Sequence, residues 1–329
     1  MPTVSVRFRG SLGTELAARL DMPALPPRAC ALFAHCFTCS KESKAASFLS
    51  AALAEHGVAV LRFDFTGLGA SEGDFADTGF SSNVADLVAA ADWMRANHGA
   101  PAILVGHSLG GAAALAAASR IPECRAVATI GAPYEPAHVK GLLKSSVEEI
   151  VAKGEAEVDL GGRSFRIRRE FLDDLEGQPQ KDAIAGLRRA LLVMHSPLDD
   201  IVPIDNATGI FVAARHPKSF VSLDTADHLL SRREDARYAA AVLAAGSMGC
   251  TQRPPDLRRQ LEAYDPVQRV RAVKAIASRR EDRRLGMVER LDDNQQQVRL
   301  PLKGDQIFGG IIAVAIGAQP SDCTLTRRG

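Results

Sequence analysis

Leu104-Val105-Gly106-His107-Ser108-Leu109-Gly110-Gly111 is the stretch that decides how the rest of the chain is read. It has the spacing G-x-S-x-G with one further glycine. An apolar run, residues 102–105, leads in, and an alanine-rich run, residues 112–118, leads out. The first reads as a buried strand and the second as a tightly packed helix. A serine at the turn between them adopts a strained backbone. Small residues are therefore needed at Gly106, where a side chain would meet the loop, and at Gly110, where the helix packs closely. The turn lifts Oγ of Ser108 clear of the sheet and aims the first N–H groups of the helix at a bound group. On the pentapeptide alone a reactive serine, a phosphate loop and a chance match all stand. A base, an acid and a pair of N–H donors elsewhere in the chain would decide for the first.

Outward from this turn, strands and helices alternate. Residues 29–34 are a continuous apolar run and read as a buried strand, residues 58–63 read as another, and strands are also expected at 126–130 and 190–194. Residues 4–8 and 15–20 suit an antiparallel pair at a sheet edge. Helices are expected from Ser40 or Lys41 to about His56, over 83–97, around 206–214 and from Leu229 to about Ala245; a strand is expected over 219–223. Between residues 134 and 187 the rhythm breaks. A helix-like piece (139–153) precedes two short strands, 156–160 and 164–168, about the turn Gly161-Gly162, so a lid-like insertion is expected. The fold class is α/β, a mostly parallel sheet with helices on both faces and reactive residues in the loops at the strands' carboxyl ends.

Two such loops carry the missing chemistry. His195-Ser196-Pro197-Leu198-Asp199-Asp200 follows one strand, and Asp224-Thr225-Ala226-Asp227-His228 follows the next. A serine hydroxyl needs a base to take its proton and an acid to hold that base in one tautomer. Ser108 is assigned as nucleophile, His228 as base and then acid, and Asp199 as the orienting acid. Asp200 is the rival, but Ile201-Val202 must turn back into the core, which points Asp200 outward. Asp227 reads as a loop or cap residue, and His107 and His195 as makers of packing and turn hydrogen bonds. The oxyanion donors are assigned to the N–H groups of Leu109 and Phe37. Asp64 reads as a buried turn-former. Cys36-Phe37-Thr38-Cys39 is also C-x-x-C between a strand and a helix, so a thiol–disulfide oxidoreductase using Cys36 and Cys39 is the competing reading, and a non-catalytic binding protein a third. No second cysteine pair lies at zinc-ligand spacing.

Composition narrows the classes further. The 329 residues allow one large domain, or one with a small appendage, and 46% hydrophobic content supplies a sizeable core. Forty basic and 39 acidic residues leave a formal charge of +1, which gives no ground for nucleic-acid or acidic-membrane binding. No apolar run approaches the ~18 residues of a membrane span. Residues 1–7 lack a signal-type apolar segment, so a cytoplasmic location is expected. Six scattered cysteines suit reduced thiols better than a disulfide framework.

Phe33-Ala34-His35-Cys36-Phe37-Thr38-Cys39-Ser40-Lys41, Phe63-Asp64-Phe65-Thr66-Gly67-Leu68-Gly69, residues 106–111, residues 195–203 and Ala226-Asp227-His228 resemble the α/β-hydrolase superfamily. More narrowly, they are similar to the hydrolase half of bacterial proteins that fuse such a module to an OsmC-like domain. The resemblance covers residues 1–245. It implies an α/β-hydrolase fold and cleavage of small ester, thioester or amide substrates through an acyl-enzyme. A carboxylesterase acting on a small-molecule acyl substrate, with no metal or organic cofactor, is the expectation. Cys36 departs from the glycine that many members carry after the histidine. Residues 246–329 do not continue the likeness to the fusion proteins. Asp265-Pro266-Val267-Gln268-Arg269-Val270-Arg271 reads as the start of a HEAT-type helical repeat, faintly echoed at Val298-Arg299, and the pattern ends at Pro301. A partly helical or weakly ordered tail is expected, with binding of a protein partner as its functional alternative.

Overall fold

The computed structural model describes residues 2–143, 146–160 and 162–245. The expectations for residues 246–329 lie outside them. The strands are β1 (Thr3–Arg9), β2 (Glu15–Asp21), β3 (Ala29–Ala34), β4 (Val58–Phe63), β5 (Ile103–His107), β6 (Ala126–Ile130), β7 (Glu155–Asp159), β8 (Ser164–Arg168), β9 (Ala190–His195) and β10 (Lys218–Ser222). The helices are α1 (Lys44–Glu55), α2 (Phe80–Asn97), α3 (Leu109–Ala117), α4 (Lys140–Leu143), α5 (Ser146–Lys153), α6 (Arg169–Glu176), α7 (Gln180–Ala185), α8 (Asp205–Ala213) and α9 (Arg233–Ala245).

Eight strands form one sheet in the order β1-β2-β4-β3-β5-β6-β9-β10. The pairs β1–β2 and β2–β4 are antiparallel, and every pair from β4 to β10 is parallel. The continuous apolar runs follow from burial on both faces, because alternate side chains enter opposite cores. Leu32, Leu61, Leu104, Val127 and Leu191 pack with α2, α3 and α8. Ala31, Phe33, Val60, Ile103, Val105 and Met194 pack with α1 and α9. Residues 134–187 do insert between two core strands. Their hairpin β7–β8 is a separate antiparallel pair, tied over the sheet's edge loops by Arg166–Asp74 and Arg168–Asp77 ion pairs.

Four helix boundaries differ from the sequence reading, the smallest shift being α2, which starts at Phe80 rather than residue 83. α1 starts at Lys44, not at Ser40 or Lys41, because the Lys41 N–H and ammonium both bind Asp64, and Ser43 is the N-cap. α9 starts at Arg233 rather than Leu229, because Leu230 takes φ +49°, which no right-handed helix accommodates. The helix expected over 139–153 is broken into a short 3₁₀ turn (Pro136–Val139), α4 and α5. The cysteine expectation is also corrected. Cys36 and Cys39 are joined in a disulfide, their Cα atoms 5.2 Å apart across a turn. Cys30 and Cys124 are buried free thiols.

Candidate active site

The site is built at the carboxyl ends of β3, β5, β9 and β10. Ser108 leaves β5 at φ +54°, ψ −129°, and its N–H donates to the Ile130 carbonyl of the neighbouring strand (2.8 Å). Left-handed backbone at a serine costs of order 1–3 kcal/mol and persists only where the surroundings impose it. Here the flanking glycines do so, with their roles exchanged from the sequence reading. A Cβ on Gly106 would lie 2.3 Å from the Gly110 carbonyl oxygen, against the helix. One on Gly110 would lie 2.4 Å from the carbonyls of Ala34 and His35, against the β3 loop.

The Ser108 hydroxyl donates to Nε2 of His228 at 3.0 Å, and His228 Nδ1–H donates to Oδ2 of Asp199 at 2.8 Å. All three side chains are buried, whereas Asp200 is exposed; of the two residues expected to turn back into the core, Val202 is buried and Ile201 is not. The second Asp199 oxygen accepts the N–H groups of Ile201 (3.0 Å) and Val202 (2.8 Å). Burial alone would raise the Asp199 carboxyl. The hydrogen bond and charge of His228, with the Val202 N–H, bring it below the ordinary value, so it is anionic at neutral pH.

His107 and His195 hold the loops that carry this pair. His107 Nε2–H donates to the His228 carbonyl (2.7 Å), and His195 Nε2–H to the Val202 carbonyl (2.7 Å). Burial, then the neighbouring His228, pushes His107 down to about 3; burial also lowers His195. Both rings stay neutral. Asp227 caps a turn, accepting the Ser231 N–H at 2.8 Å. The sequence reading missed Gly131. It sits at φ +54° directly under the His–Asp pair, where a Cβ would lie 3.0 Å from Asp199 Oδ2 and 3.4 Å from His228 Nδ1. Its signal is a glycine immediately after β6, the strand beside the elbow.

The β3 loop lies across from His228. His35 Nδ1–H donates to the Cys36 carbonyl (2.8 Å), and Nε2 accepts the Phe65 N–H (3.4 Å). Cys39 N–H donates back to the Cys36 carbonyl (3.1 Å), closing a turn in which Thr38 takes φ +58°. The disulfide spans the same turn. Asp64 anchors the loop's far end through Lys41 and accepts the Ala70 N–H, which makes it the turn-former expected. The Phe37 ring stacks on Phe171 of the insertion, 5.6 Å between centres, and Arg163 of the hairpin donates to the Thr38 carbonyl. Phe37 and Leu109, the assigned oxyanion residues, line one depression beside the elbow. The helix expected directly after the cysteines starts five residues beyond Cys39, so neither sulfur sits at a helix N-terminus.

A family model for the alpha/beta hydrolase family matches residues 31–301. That span is most of the chain, and the chain belongs to the alpha/beta hydrolase family. Among solved structures, the esterase domain of a Rhodothermus marinus protein is 54% identical; the match covers 74% of this chain and 97% of that one, with a TM-score of 0.62. Est1E from Butyrivibrio proteoclasticus, solved with ferulic acid bound, is 21% identical, covering 71% of this chain and 96% of its own, with a TM-score of 0.60. Mouse alpha/beta hydrolase domain-containing protein 10 is also 21% identical, covering 73% and 96%, with a TM-score of 0.57. The last two show the shared fold. Comparison with curated proteins gave no match. Among the described residues no helix is long and apolar enough to cross a membrane.

Proposed function

We propose that the protein is a serine hydrolase of carboxylesterase type, acting on small acyl substrates. The observation that carries this is the hydrogen-bonded series Asp199–His228–Ser108, at 2.8 and 3.0 Å, ending on a serine held at φ +54°. The 54% identity to an esterase domain supports the choice of esters over other acyl compounds. Thioesters and small amides would follow the same chemistry.

His228 Nε2 takes the Ser108 proton as Oγ attacks the ester carbonyl carbon. Asp199 holds the ring with Nδ1 protonated and stabilises the imidazolium that forms. The N–H groups of Leu109 and Phe37 receive the oxyanion, each such donor contributing about 3 kcal/mol in the transition state. His228 returns the proton to the departing alcohol, leaving Ser108 acylated. A water, deprotonated by His228, then releases the acid and restores the serine.

The test is p-nitrophenyl acetate hydrolysis. Ser108→Ala should reduce kcat by a factor of at least ~10³ with an unchanged far-UV spectrum; unchanged turnover refutes the assignment. The thiol reading has the Cys36–Cys39 disulfide in its favour but leaves Ser108, Asp199 and His228 without work. Under it, reduction of a disulfide substrate would survive Ser108→Ala and vanish with Cys36→Ser.

A further inference from the structure

At the end of the sheet opposite Ser108, the loops that lead into the parallel strands form a second depression, of about 240 Å³. Three chain segments wall it. Pro122, Cys124 and Arg125 precede β6, Arg188 and Arg189 precede β9, and Pro217 precedes β10. Backbone hydrogen bonds hold these segments side by side. The Ala190 N–H donates to the Arg125 carbonyl (3.0 Å), and the Leu191 N–H to the Pro217 carbonyl (3.0 Å). The frame is thus the sheet itself, and its walls carry three arginines and no carboxylate.

The positive charge of this wall is not neutralised from within. Among the described residues Arg188 and Arg189 form no ion pair, and their one hydrogen bond runs from Arg189 Nη1 to the Arg188 carbonyl (3.2 Å). The Arg189 Nε–H is enclosed and has no hydrogen-bond partner among these residues. Glu123, two residues before Arg125, is engaged by Arg95, which holds both of its oxygens at 2.6 and 2.7 Å. Burial pushes the Cys124 thiol up to about 12, so it brings no negative charge either. Elsewhere Arg62, Arg95, Arg166 and Arg168 each meet a carboxylate. Enclosed polar groups are normally paired, and an enclosed guanidinium N–H with no acceptor calls for one.

The chemistry of the acceptor follows from the donors. Guanidinium groups present flat forks of N–H that match phosphate and carboxylate oxygens. Three of them exceed the charge of a single carboxylate and suit an anion carrying two or more negative charges. The depression is smaller than the ~300–1,000 Å³ of drug-sized pockets, which favours a compact ligand. We propose that this depression binds a compact phosphate-bearing molecule through Arg125, Arg188 and Arg189. The site stands apart from Ser108 and does not depend on the esterase reading.

Isothermal titration calorimetry of the full chain with pyrophosphate, and with citrate as a carboxylate of high charge, tests this at neutral pH and one ionic strength. Pyrophosphate should bind saturably at one site and more tightly than citrate. Arg188→Gln and Arg189→Gln should each weaken it by about tenfold or more, the share of one charge-assisted contact. Arg188 is exposed, so its variant carries the test if Arg189→Gln does not fold. Arg9→Gln, at an exposed arginine on β1 at the far edge of the sheet, should leave the affinity unchanged. No saturable binding of pyrophosphate, an affinity unmoved in Arg188→Gln, or equal weakening by Arg9→Gln overturns the site. Citrate binding as tightly as pyrophosphate overturns the phosphate assignment.

Discussion

Gly131→Ala tests whether the site's geometry matters as the structure implies. The new methyl group would be placed 3.0 Å from Asp199 Oδ2 and 3.4 Å from His228 Nδ1. The carboxylate would have to retreat by a few tenths of an ångström. It cannot retreat freely, because its other oxygen accepts the Ile201 and Val202 N–H groups. The ring is equally constrained, since the His228 carbonyl is held by His107. The displacement therefore falls on the 2.8 Å His228–Asp199 bond and on the aim of Nε2 at Ser108. A misplacement of ~1 Å costs about 10² in rate, so a few tenths should lower kcat about tenfold, with KM little changed. Separately, an alanine at φ +54° should cost the fold about 1 kcal/mol. Steady-state hydrolysis of p-nitrophenyl acetate and a urea titration read the two effects independently. A kcat within twofold of wild type, in a protein that shows the stability loss, refutes the claim that Gly131 makes room for the pair.

Three further predictions rest on the surroundings of the site. His107 is neutral in the fold, its value pushed from 6.5 to about 3, so below about pH 6.5 the unfolded chain binds a proton that the native one does not. Stability should therefore fall as pH drops from 6.5 toward 3, and His107→Gln should shallow that slope in urea titrations; an unchanged slope would count against it. Lys41 and Asp64 form a buried pair at 2.6 Å, and Lys41→Met would leave the carboxylate without its counter-charge. The expected loss is about 3 kcal/mol by chemical denaturation, and a loss under ~1 kcal/mol would contradict the pairing argument. The Cys36–Cys39 bond spans the turn that holds Thr38 at φ +58° and presents Phe37. Reduction with dithiothreitol should lower kcat about tenfold by loosening one oxyanion donor, reversibly on reoxidation; indifference to reduction would place the second donor elsewhere.

Most of the fold was legible because its signals are local. Residues 29–34, 58–63, 103–107, 126–130 and 190–195 are predominantly apolar and almost wholly buried, as strands covered on both faces require. Ser108 and Asp199 could be selected because each follows such a strand, and His228 because it lies in the loop after the alternating β10. Asp199 is preferred to Asp200 because Ile201-Val202 should turn inward, and Val202 does while Ile201 does not. What escaped depends on contacts distant in sequence. The start of α1 is set by Asp64, twenty-three residues from Lys41 in the chain. The need for glycine at 131 arises from atoms of residues 199 and 228. The exchange of roles between Gly106 and Gly110 follows from how α3 lies against β3 and β5, which no periodicity reports. The disulfide escaped because composition argued for thiols, while the turn bringing Cys36 and Cys39 together is a feature of backbone geometry.

The central claim is that Ser108 becomes acylated. Peptide mass spectrometry, with the protein quenched in acid milliseconds after mixing with p-nitrophenyl acetate and then digested, tests this directly. The account predicts one added acetyl group on the peptide carrying Ser108, formed as fast as p-nitrophenol is released in the first turnover and absent in Ser108→Ala. Steady release of p-nitrophenol with no acetyl on that peptide, or with the acetyl on another residue, would contradict it.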